Sequence, residues 1–377
     1  MNDKIHVALV GLRFGAEFIP IYQHHPRVRD VTIVDIDAAV VTKWSSTYGI
    51  ERTAASLEAV LADPDIDAVH LVTPIPLHAR QAISVLRSGR HCACTVPAAT
   101  SLEDLHALVE ARQASGKIYM MMETAVYTRE FLLAQQWLAR GDLGRIQLLR
   151  GAHYQDMEGW PEYWMGLPPM HYATHAVAPL LRLANTRATQ VHCFGSGSMR
   201  EELTRRYGNP FPAETAILRL AGSPVAAEVT RTLFETARDY AESFTVYGSA
   251  ASFEWQQIES ERPVRFAFTQ ERTHWGSFAT GHERIDAPDR ADLLPEPIRC
   301  FTQRGVYSAT NAHPSFVHGG GHGGSHPHLV HEFVSAICAG RPSAIDAPTA
   351  ASWTAVGVCA HQSALLDGAA VEVPDFS

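Results

Sequence analysis

The stretch Lys4-Ile-His-Val-Ala-Leu-Val-Gly-Leu-Arg-Phe-Gly-Ala16 decides the fold of this chain. Residues 5–10 form a short, mostly apolar run with several β-branched side chains, which is typical of a buried parallel strand. The run stops at Gly11, and residues 16–22 are predicted to form a helix. A strand, a glycine turn and a helix in this order make the corner of a dinucleotide-binding fold, where free backbone N–H groups face a pyrophosphate.

A carboxylate follows the second predicted strand. This strand covers residues 31–34 and ends at Asp35, twenty-four residues after Gly11. A carboxylate at this point accepts hydrogen bonds from both ribose hydroxyls of NAD and repels the 2′-phosphate of NADP. The sequence therefore predicts NAD as the cofactor, in preference to NADP.

The glycine fingerprint G-x-G-x-x-G/A is incomplete. Gly11 and Ala16 hold its first and third positions, but Arg13 holds the second, where the backbone must approach the pyrophosphate closely. Gly15 keeps the turn loose, and Arg13 is able to pair with a phosphate. We include Arg13 and its neighbour Phe14 among the predicted cofactor-binding residues. The alternative is a plain strand–helix–strand corner without a nucleotide.

Composition excludes several classes of protein. The 377 residues suffice for two domains, and the net charge of -9 argues against nucleic acid or an anionic membrane as partner. No apolar stretch reaches membrane-spanning length, and the early first strand leaves no room for a signal peptide. The six cysteines show neither a CxxC pair nor the density of a disulfide scaffold. We expect a soluble cytoplasmic protein.

Strands and helices alternate in the first third of the chain. Helices are predicted over 38–48, 57–62, 79–88 and 102–115, and strands over 68–72, 91–94 and 118–122. This spacing predicts a parallel sheet with right-handed crossovers, whose ligands bind beyond the carboxyl ends of the strands. The predicted cofactor-binding residues in the loops at that edge are Thr73, Pro74, His78, Thr95, Val96, Pro97 and Glu123.

The pattern changes near residue 125. A helix over 128–140 and another starting near His175 accompany strands predicted at 146–154, 189–194, 215–220, 225–233, 243–247 and 251–255. Residues 261–314 are polar and poorly periodic and are predicted as long loops, before helices at 328–339 and 347–366. We predict an α/β protein: a Rossmann domain over 1–125, and a substrate-binding and oligomerisation domain over 126–377 with a large open, mainly antiparallel sheet. The final helix could pack back on the Rossmann domain.

Several motifs resemble those of the Gfo/Idh/MocA oxidoreductases. They are the first-strand turn, Thr73-Pro74 with His78, the turn at Thr95-Val96-Pro97, and the segment around His175. The resemblance implies an NAD-binding Rossmann domain and a second domain whose open sheet usually forms the dimer interface. Most members have Glu-Lys-Pro at 95–97, and the lysine commonly assists proton transfer, which Val96 cannot do. Many members also have Asp at the position of His171.

A closer likeness is to the NAD-dependent glycosidases of the α-N-acetylgalactosaminidase type. It rests on segments 96–99, 120–123, 172–179 and 321–324, which are similar to theirs. Those enzymes hold NAD tightly, oxidise a sugar carbon, eliminate the aglycone, add water and return the hydride. Their Tyr-Ile-His-Asp segment matches residues 153–156, so a tyrosine and a histidine implicated in catalysis there become His153 and Gln155. Tyr172 and His175 are retained.

Four side chains are the catalytic candidates: His175, Tyr172, His153 and His171. Oxidation of a sugar hydroxyl needs a base, and histidine titrates near neutrality. The resemblance places His175 at the junction of cofactor and substrate, with Tyr172 within reach if the segment turns as a helix start. The alternatives are a helix-capping or core histidine at position 175, an interface tyrosine, and ordinary hydrogen-bonding roles for the other two histidines.

Substrate-binding candidates are Gln155, Trp160, Trp164 and His322. Aromatic faces such as those of the two tryptophans suit the C–H face of a sugar, although packing under the sheet is the alternative. The histidine run at positions 318, 322, 326, 328 and 331 suggests a metal. No carboxylate or cysteine lies at a familiar ligand spacing, however, so we predict no metal.

The predicted function is hydride transfer between NAD and a secondary alcohol of a carbohydrate or polyol. Two alternatives stay open: a redox-neutral NAD-dependent glycosidase acting on a glycoside, and a non-catalytic NAD-binding sensor. The sensor is suggested by Arg13 in a glycine position and by the missing lysine at Val96. The open sheet also predicts a homodimer or homotetramer.

Overall fold

A computed structural model describes residues 4–303 and 321–377. The chain forms two compact units, which we call the first and the second unit. The first comprises Met1–Thr128, Asp289–Ala351 and Phe376–Ser377, and the second comprises Arg129–Pro288 and Ser352–Asp375. The chain thus returns to the first unit after completing most of the second. No helix within the described ranges is both long and apolar enough to cross a membrane.

The first unit contains a six-stranded parallel sheet. Its strands are β1 (Ile5–Val10), β2 (Val28–Val34), β3 (Thr53–Ala54), β4 (Ala68–Leu71), β5 (His91–Cys94) and β6 (Tyr119–Met121). They are ordered β3-β2-β1-β4-β5-β6, and every pair is parallel. Strand order therefore reverses between β1 and β4, which is where a doubly wound sheet binds its ligand. The predicted Rossmann fold is confirmed.

Helices flank these strands at Ile19–His24, Ala38–Tyr48, Leu57–Ala62, His78–Arg87 and Leu102–Ser115. The first predicted helix, over 16–22, is divided into a 3₁₀ turn, Gly15–Phe18, and the helix beginning at Ile19. Pro20 explains the division, because it has no N–H to donate to the carbonyl of residue 16. Ser101 begins the longest of these helices by accepting from the N–H of Asp104.

The second unit contains a nine-stranded sheet. Its strands are β7 (Ile146–Tyr154), β8 (Ala188–Ser196), β9 (Ala213–Leu220), β10 (Ala226–Thr232), β11 (Ala241–Gly248), β12 (Ala251–Glu254), β13 (Val264–Arg272), β14 (Phe278–Arg284) and β15 (Val371–Glu372). Their order is β14-β13-β12-β11-β7-β10-β9-β8-β15. Only the β7–β10 pair is parallel among these described strands. The predicted large, mainly antiparallel sheet is confirmed.

One close contact positions the helix Thr174–Ala184 on this sheet. Gly151 of β7 lies against the carbonyl oxygen of Ala176, and a Cβ at Gly151 would collide with it. The glycine therefore lets the helix approach β7 closely, two residues before His153. Other helices of the unit are Arg129–Arg140 and the part of Ala347–Leu365 from Ser352 onward.

The prediction of long loops over 261–314 is wrong for its first part. Residues 264–284 form the antiparallel hairpin β13–β14. The hairpin lies at the sheet edge and buries little, so apolar residues such as Phe268 stay exposed and charged residues interrupt the periodic pattern. The pairing of β15 with β8 was also missed, because two residues carry no periodicity. The helix predicted over 328–339 begins two residues earlier, as His326–Ala339, and the short turn Gly321–Gly324 precedes it.

Candidate functional site

The turn after β1 requires a glycine. Gly11 has φ +92°, and a Cβ there would collide with the carbonyl oxygen of Val72. The N–H of Gly11 donates to the carbonyl of Val34 at 2.8 Å. Ala16 and Gly15 are buried, whereas Arg13 is exposed. The backbone thus forms the tight corner that the sequence predicts, and the Arg13 side chain is accessible to a phosphate.

Asp35 is fixed beside this turn. Its Oδ2 accepts a hydrogen bond from the N–H of Leu12 at 2.7 Å, and its Oδ1 accepts one from the N–H of Asp37 at 3.0 Å. The carboxylate, half-buried, therefore lies at the position predicted for ribose recognition. Ile36 follows it and is 99% exposed. An apolar side chain here suits the face of an adenine, a candidate contact that periodicity did not indicate because the strand pattern ends at Val34.

Asp35→Ser should raise the affinity for NADP relative to NAD by about 10-fold, or about 1.4 kcal/mol. The substitution removes the negative charge that repels a 2′-phosphate and retains a hydroxyl. Binding titrations with both nucleotides measure the ratio. Asp37→Ser is the matched control, because Asp37 caps the helix Ala38–Tyr48 and serine also serves as a cap. An unchanged ratio in Asp35→Ser would refute the ribose assignment.

His78 connects two loops at the carboxyl edge of the sheet. Its Nε2 is 2.7 Å from the carbonyl oxygen of Thr73, and its Nδ1 is 2.8 Å from that of Pro97. Burial lowers the pKa of His78, and a neutral imidazole donates to only one carbonyl at a time. The hydroxyl of Thr73 donates to Gln81 at 2.5 Å. His78 therefore stabilises these two loops, and its ring nitrogens contact the loop carbonyls rather than a nucleotide.

The loop after β5 contains Thr95, Val96 and Pro97, with a cis bond between the last two. Val96 is buried, as are Glu123 and its 3₁₀ turn Thr124–Val126. The Oε1 of Glu123 accepts from the N–H of Ala125 at 2.9 Å. Glu123 thus has a local capping role, and the half-buried Thr73, Pro74 and Thr95 are the more accessible of the predicted residues in the loops after β4, β5 and β6.

The Gly-His-Gly-Gly segment contacts the phosphate turn within the first unit. His322 has φ +47°, and its Nδ1 is 3.2 Å from Nε2 of His326. Nδ1 of His326 is 3.3 Å from Oε2 of Glu17, and both of these side chains are fully buried. The ring of Phe14 packs edge-on against both histidines. Phe14 and His322 therefore belong to one packed cluster next to the turn.

The histidine run does not converge on one point. His318 lies outside the described residues. His328 stacks on Tyr127, and His331 contacts His25 at 3.1 Å between ring nitrogens. Within residues 4–303 and 321–377, no three of these histidines form an ion-sized group.

A row of buried polar residues crosses the second sheet. Glu242 on β11 lies opposite His153 on β7, which lies opposite Arg231 on β10, which lies opposite Glu214 on β9. Residues directly opposite one another project from the same face of a sheet. All four are at most 9% exposed. Along this row, the buried face of the sheet therefore carries charged and polar groups instead of apolar ones.

Two predicted catalytic residues lie over this row. Nε2 of His175 is 3.3 Å from Oη of Tyr172 and 3.5 Å from Oε1 of Glu242. Nε2 of His153 is 3.9 Å from the same carboxylate oxygen, which also accepts a hydrogen bond from the hydroxyl of Tyr240. The structure thus brings His153, Tyr172 and His175 together with Glu242 and Tyr240, which the sequence did not indicate.

Arg231 holds several residues of this group in position through hydrogen bonds. Its Nε donates to the carbonyl of Tyr172 at 3.0 Å, one terminal nitrogen donates to the carbonyl of His153 at 3.1 Å, and the other donates to Oε1 of Gln155 at 3.1 Å. Burial lowers the pKa of Arg231 to about 10, so the guanidinium remains charged at neutral pH. Gln155 is therefore oriented by Arg231 at the edge of the cluster.

His171 has different partners. Its ring packs edge-on against His361 at 5.1 Å, and Nδ1 of His361 is 2.7 Å from Oε1 of Glu214. Burial, and to a lesser extent the charge on His361, lower the pKa of His171 to about 3. His171 is consequently neutral at physiological pH and suited to hydrogen bonding rather than to accepting a proton.

One member of the predicted aromatic pair packs against Tyr172. Trp164, in the 3₁₀ turn Glu162–Trp164, is buried and packs edge-on against Tyr172 at 4.8 Å. Trp160 lies 6.2 Å from Trp164 and is half-buried. Trp164 therefore holds Tyr172 in place, and Trp160 is the better candidate for contact with a sugar.

The ligating atoms of His153, His175 and Glu242 lie within 4.8 Å of one another. A single ion could therefore reach all three. The charge of the nearby Arg231 and the hydrogen bond from Tyr240 to Glu242 oppose a divalent cation there. The group is thus better suited chemically to proton transfer than to metal binding.

The first unit is recognisable by comparison with known families. Residues 5–123 match the family model described as the Gfo/Idh/MocA oxidoreductase family, NAD-binding Rossmann fold. These residues therefore form an NAD-binding Rossmann domain similar to that of the Gfo/Idh/MocA oxidoreductases. The match confirms the predicted Rossmann domain with NAD as its cofactor.

Relatives extend the similarity beyond that domain. A glycosyl hydrolase family 109 protein of Stenotrophomonas maltophilia is 22% identical, over 99% of this chain and 89% of that protein. Among solved structures, levoglucosan dehydrogenase in complex with NADH and levoglucosan has a TM-score of 0.76 at 19% identity, covering 99% of this chain and 100% of that one. Myo-inositol 2-dehydrogenase from Lactobacillus plantarum has a TM-score of 0.73 at 15% identity, with 98% and 100% covered. The fold over nearly the whole chain is thus similar to that of these two dehydrogenase structures.

Proposed function

We propose that the protein is an NAD-dependent oxidoreductase that oxidises a secondary alcohol of a carbohydrate or polyol. The observation that carries this proposal is the buried group of Tyr172, His175 and Glu242 in a chain that begins with an NAD-binding Rossmann domain. The names of structurally similar proteins, a levoglucosan dehydrogenase and a myo-inositol dehydrogenase, support a sugar or polyol as substrate. In this proposal the first unit binds the cofactor and the second unit binds the substrate.

In this proposal, the exposure of the side chains determines the order in which they receive the proton. NAD supplies the hydride acceptor when bound. The hydroxyl being oxidised must also lose a proton, and Tyr172 is half-buried whereas His175 is buried behind it. A proton passes from the substrate hydroxyl to Oη of Tyr172 as that oxygen passes its own proton to Nε2 of His175, 3.3 Å away. Trp160 and Gln155 would line the substrate side.

The direct test uses the purified protein and a panel of sugars and polyols with free NAD. Mass spectrometry of the small molecules released when the purified protein is unfolded first establishes whether NAD had been retained. An oxidoreductase then produces the absorbance of reduced nicotinamide with at least one member of the panel. The NAD-binding sensor binds the nucleotide but produces neither reduced cofactor nor product.

A redox-neutral NAD-dependent glycosidase is the second candidate. The observation that favours it is the relative named glycosyl hydrolase family 109, which aligns over nearly the whole chain. Such an enzyme would release an aglycone without net change in NAD and, in D₂O, would introduce deuterium beside the oxidised carbon. His153→Ala should then spare the initial reduction of NAD yet block bond cleavage. Accumulation of NADH equal to substrate loss would exclude this route.

We also propose a homo-oligomer, at least a dimer. Exposed apolar side chains lie on the sheet of the second unit, among them Phe194 on β8 and Ile217 on β9, and such surface favours association. Sedimentation at micromolar concentration should show a dimer or a tetramer, and Ile217→Glu should shift it toward monomer. Ile258→Glu, at an exposed isoleucine outside the strands, is the control. A wild-type protein that sediments only as monomer contradicts the proposal.

A further inference from the structure

We propose that Glu242 is the positioning residue that lets His175 hold the proton released during oxidation. The inference rests on the proposed function, because it assigns His175 as the final proton acceptor. Glu242 would not touch the substrate itself. It would act through the imidazole, together with Tyr240, which fixes the carboxylate.

Sheet register brings Glu242 into the site. It lies on β11 directly opposite His153 on β7, and its side chain is 7% exposed. Its Oε1 is 3.5 Å from Nε2 of His175, and the same nitrogen is 3.3 Å from the hydroxyl of Tyr172. A proton arriving on Nε2 from Tyr172 is therefore placed directly beside a carboxylate.

A buried carboxylate next to an imidazole favours the charged imidazolium. The attraction is stronger here than in water, because the group is shielded from solvent and the local dielectric is lower. A proton placed on an isolated buried histidine would create an unpaired buried positive charge at a high cost. With Glu242 in place, the imidazolium forms as part of an ion pair, which makes His175 the acceptor of choice in this cluster.

Tyr240 keeps the carboxylate in position. Its hydroxyl donates to Oε1 of Glu242, and burial, with a further contribution from the charge of Glu242, raises the pKa of Tyr240 well above its ordinary value. Tyr240 therefore remains a protonated donor over the whole working pH range. Among the described residues, His153 and Arg231 also lie near this carboxylate, and Arg231 donates to carbonyl and amide oxygens. The guanidinium charge supports the ionised form of Glu242 without replacing His175 as its partner.

The experiment compares the wild-type holoenzyme with Glu242→Gln, which preserves shape and removes the charge. We expect kcat to fall by about 100-fold with KM little changed, and the acidic limb of the kcat profile to move to lower pH. Glu242→Asp, which keeps the charge, should recover part of the lost kcat. Glu254→Gln is the matched control, because Glu254 also accepts from a tyrosine hydroxyl, that of Tyr247, on the same sheet. Its kinetics should match the wild type.

A measurement without turnover separates this inference from the proposed function. Nuclear magnetic resonance of the protein labelled in its histidine rings follows the titration of His175, which is identified by its absence in His175→Ala. Glu242→Gln should move the His175 midpoint to lower pH by about one unit, and Glu254→Gln should not. An unchanged midpoint overturns the role of Glu242 even if the enzyme is active, whereas a shifted midpoint without activity on any substrate overturns the proposed function only. Loss of wild-type activity in a chelator would also overturn it, because a metal would then occupy the same three side chains.

Discussion

His175→Ala is expected to lower kcat by at least about 1,000-fold while leaving bound NAD in place. In the proposed mechanism Tyr172 passes its proton to this imidazole, 3.3 Å away, so removal of the imidazole interrupts the transfer. Nucleotide binding depends on the first unit, to which His175 does not belong. Steady-state kinetics measures the loss, and mass spectrometry of the purified variant measures retained NAD.

The matched control is His274→Ala, at an exposed histidine of the β13–β14 hairpin. It should retain wild-type kcat. A His175→Ala variant that keeps more than about a tenth of wild-type kcat would contradict the assignment of His175 as proton acceptor. A variant that loses both NAD and activity would instead indicate that the fold was disturbed, and far-ultraviolet circular dichroism decides between the two causes.

Gly11→Ala should weaken NAD binding by about 100-fold, equivalent to about 2.7 kcal/mol. The new Cβ collides with the carbonyl oxygen of Val72, and φ +92° is unfavourable for any residue with a Cβ. Relief of the collision must move the turn away from β4, which displaces the N–H groups that face the pyrophosphate. Isothermal titration with NAD measures the change.

Gly116→Ala is the control for the backbone strain alone. Gly116 has φ +64° at the end of the helix Leu102–Ser115, but no atom lies within 4 Å of a Cβ placed there. This variant should lose some stability and keep its NAD affinity. Equal effects of both variants on affinity would show that general strain, rather than the collision at the turn, is responsible.

Local sequence was sufficient for the first unit because its site is built from contiguous segments. A buried strand, a glycine and a helix follow one another within residues 5–24, and Asp35 ends the next strand. Parallel strands linked by helices bring their carboxyl ends to one edge whatever the details of packing. The conformational freedom of Gly11 and the negative charge of Asp35 are properties of single residues. The geometry of the glycine turn and the place of the carboxylate beside it were therefore predictable from sequence order alone.

The hairpin β13–β14 and the pairing of β15 with β8 could not be predicted in this way. Their strands bury few side chains, and the periodic apolar signal that indicates a strand arises from burial. The return of the chain to the first unit at Asp289 could not be predicted either, because it depends on contacts between segments far apart in sequence.

In the second unit the sequence determined only that residues 153, 172 and 175 have side chains suited to proton transfer. Tertiary structure decided that they meet, and that Glu242, Tyr240 and Arg231 complete the group. The physical reason is sheet register: Glu242, His153 and Arg231 lie on three neighbouring strands, and a shift by one residue would turn each of them to the opposite face. Register is set by pairing across the whole sheet, so no local stretch of this chain contains it.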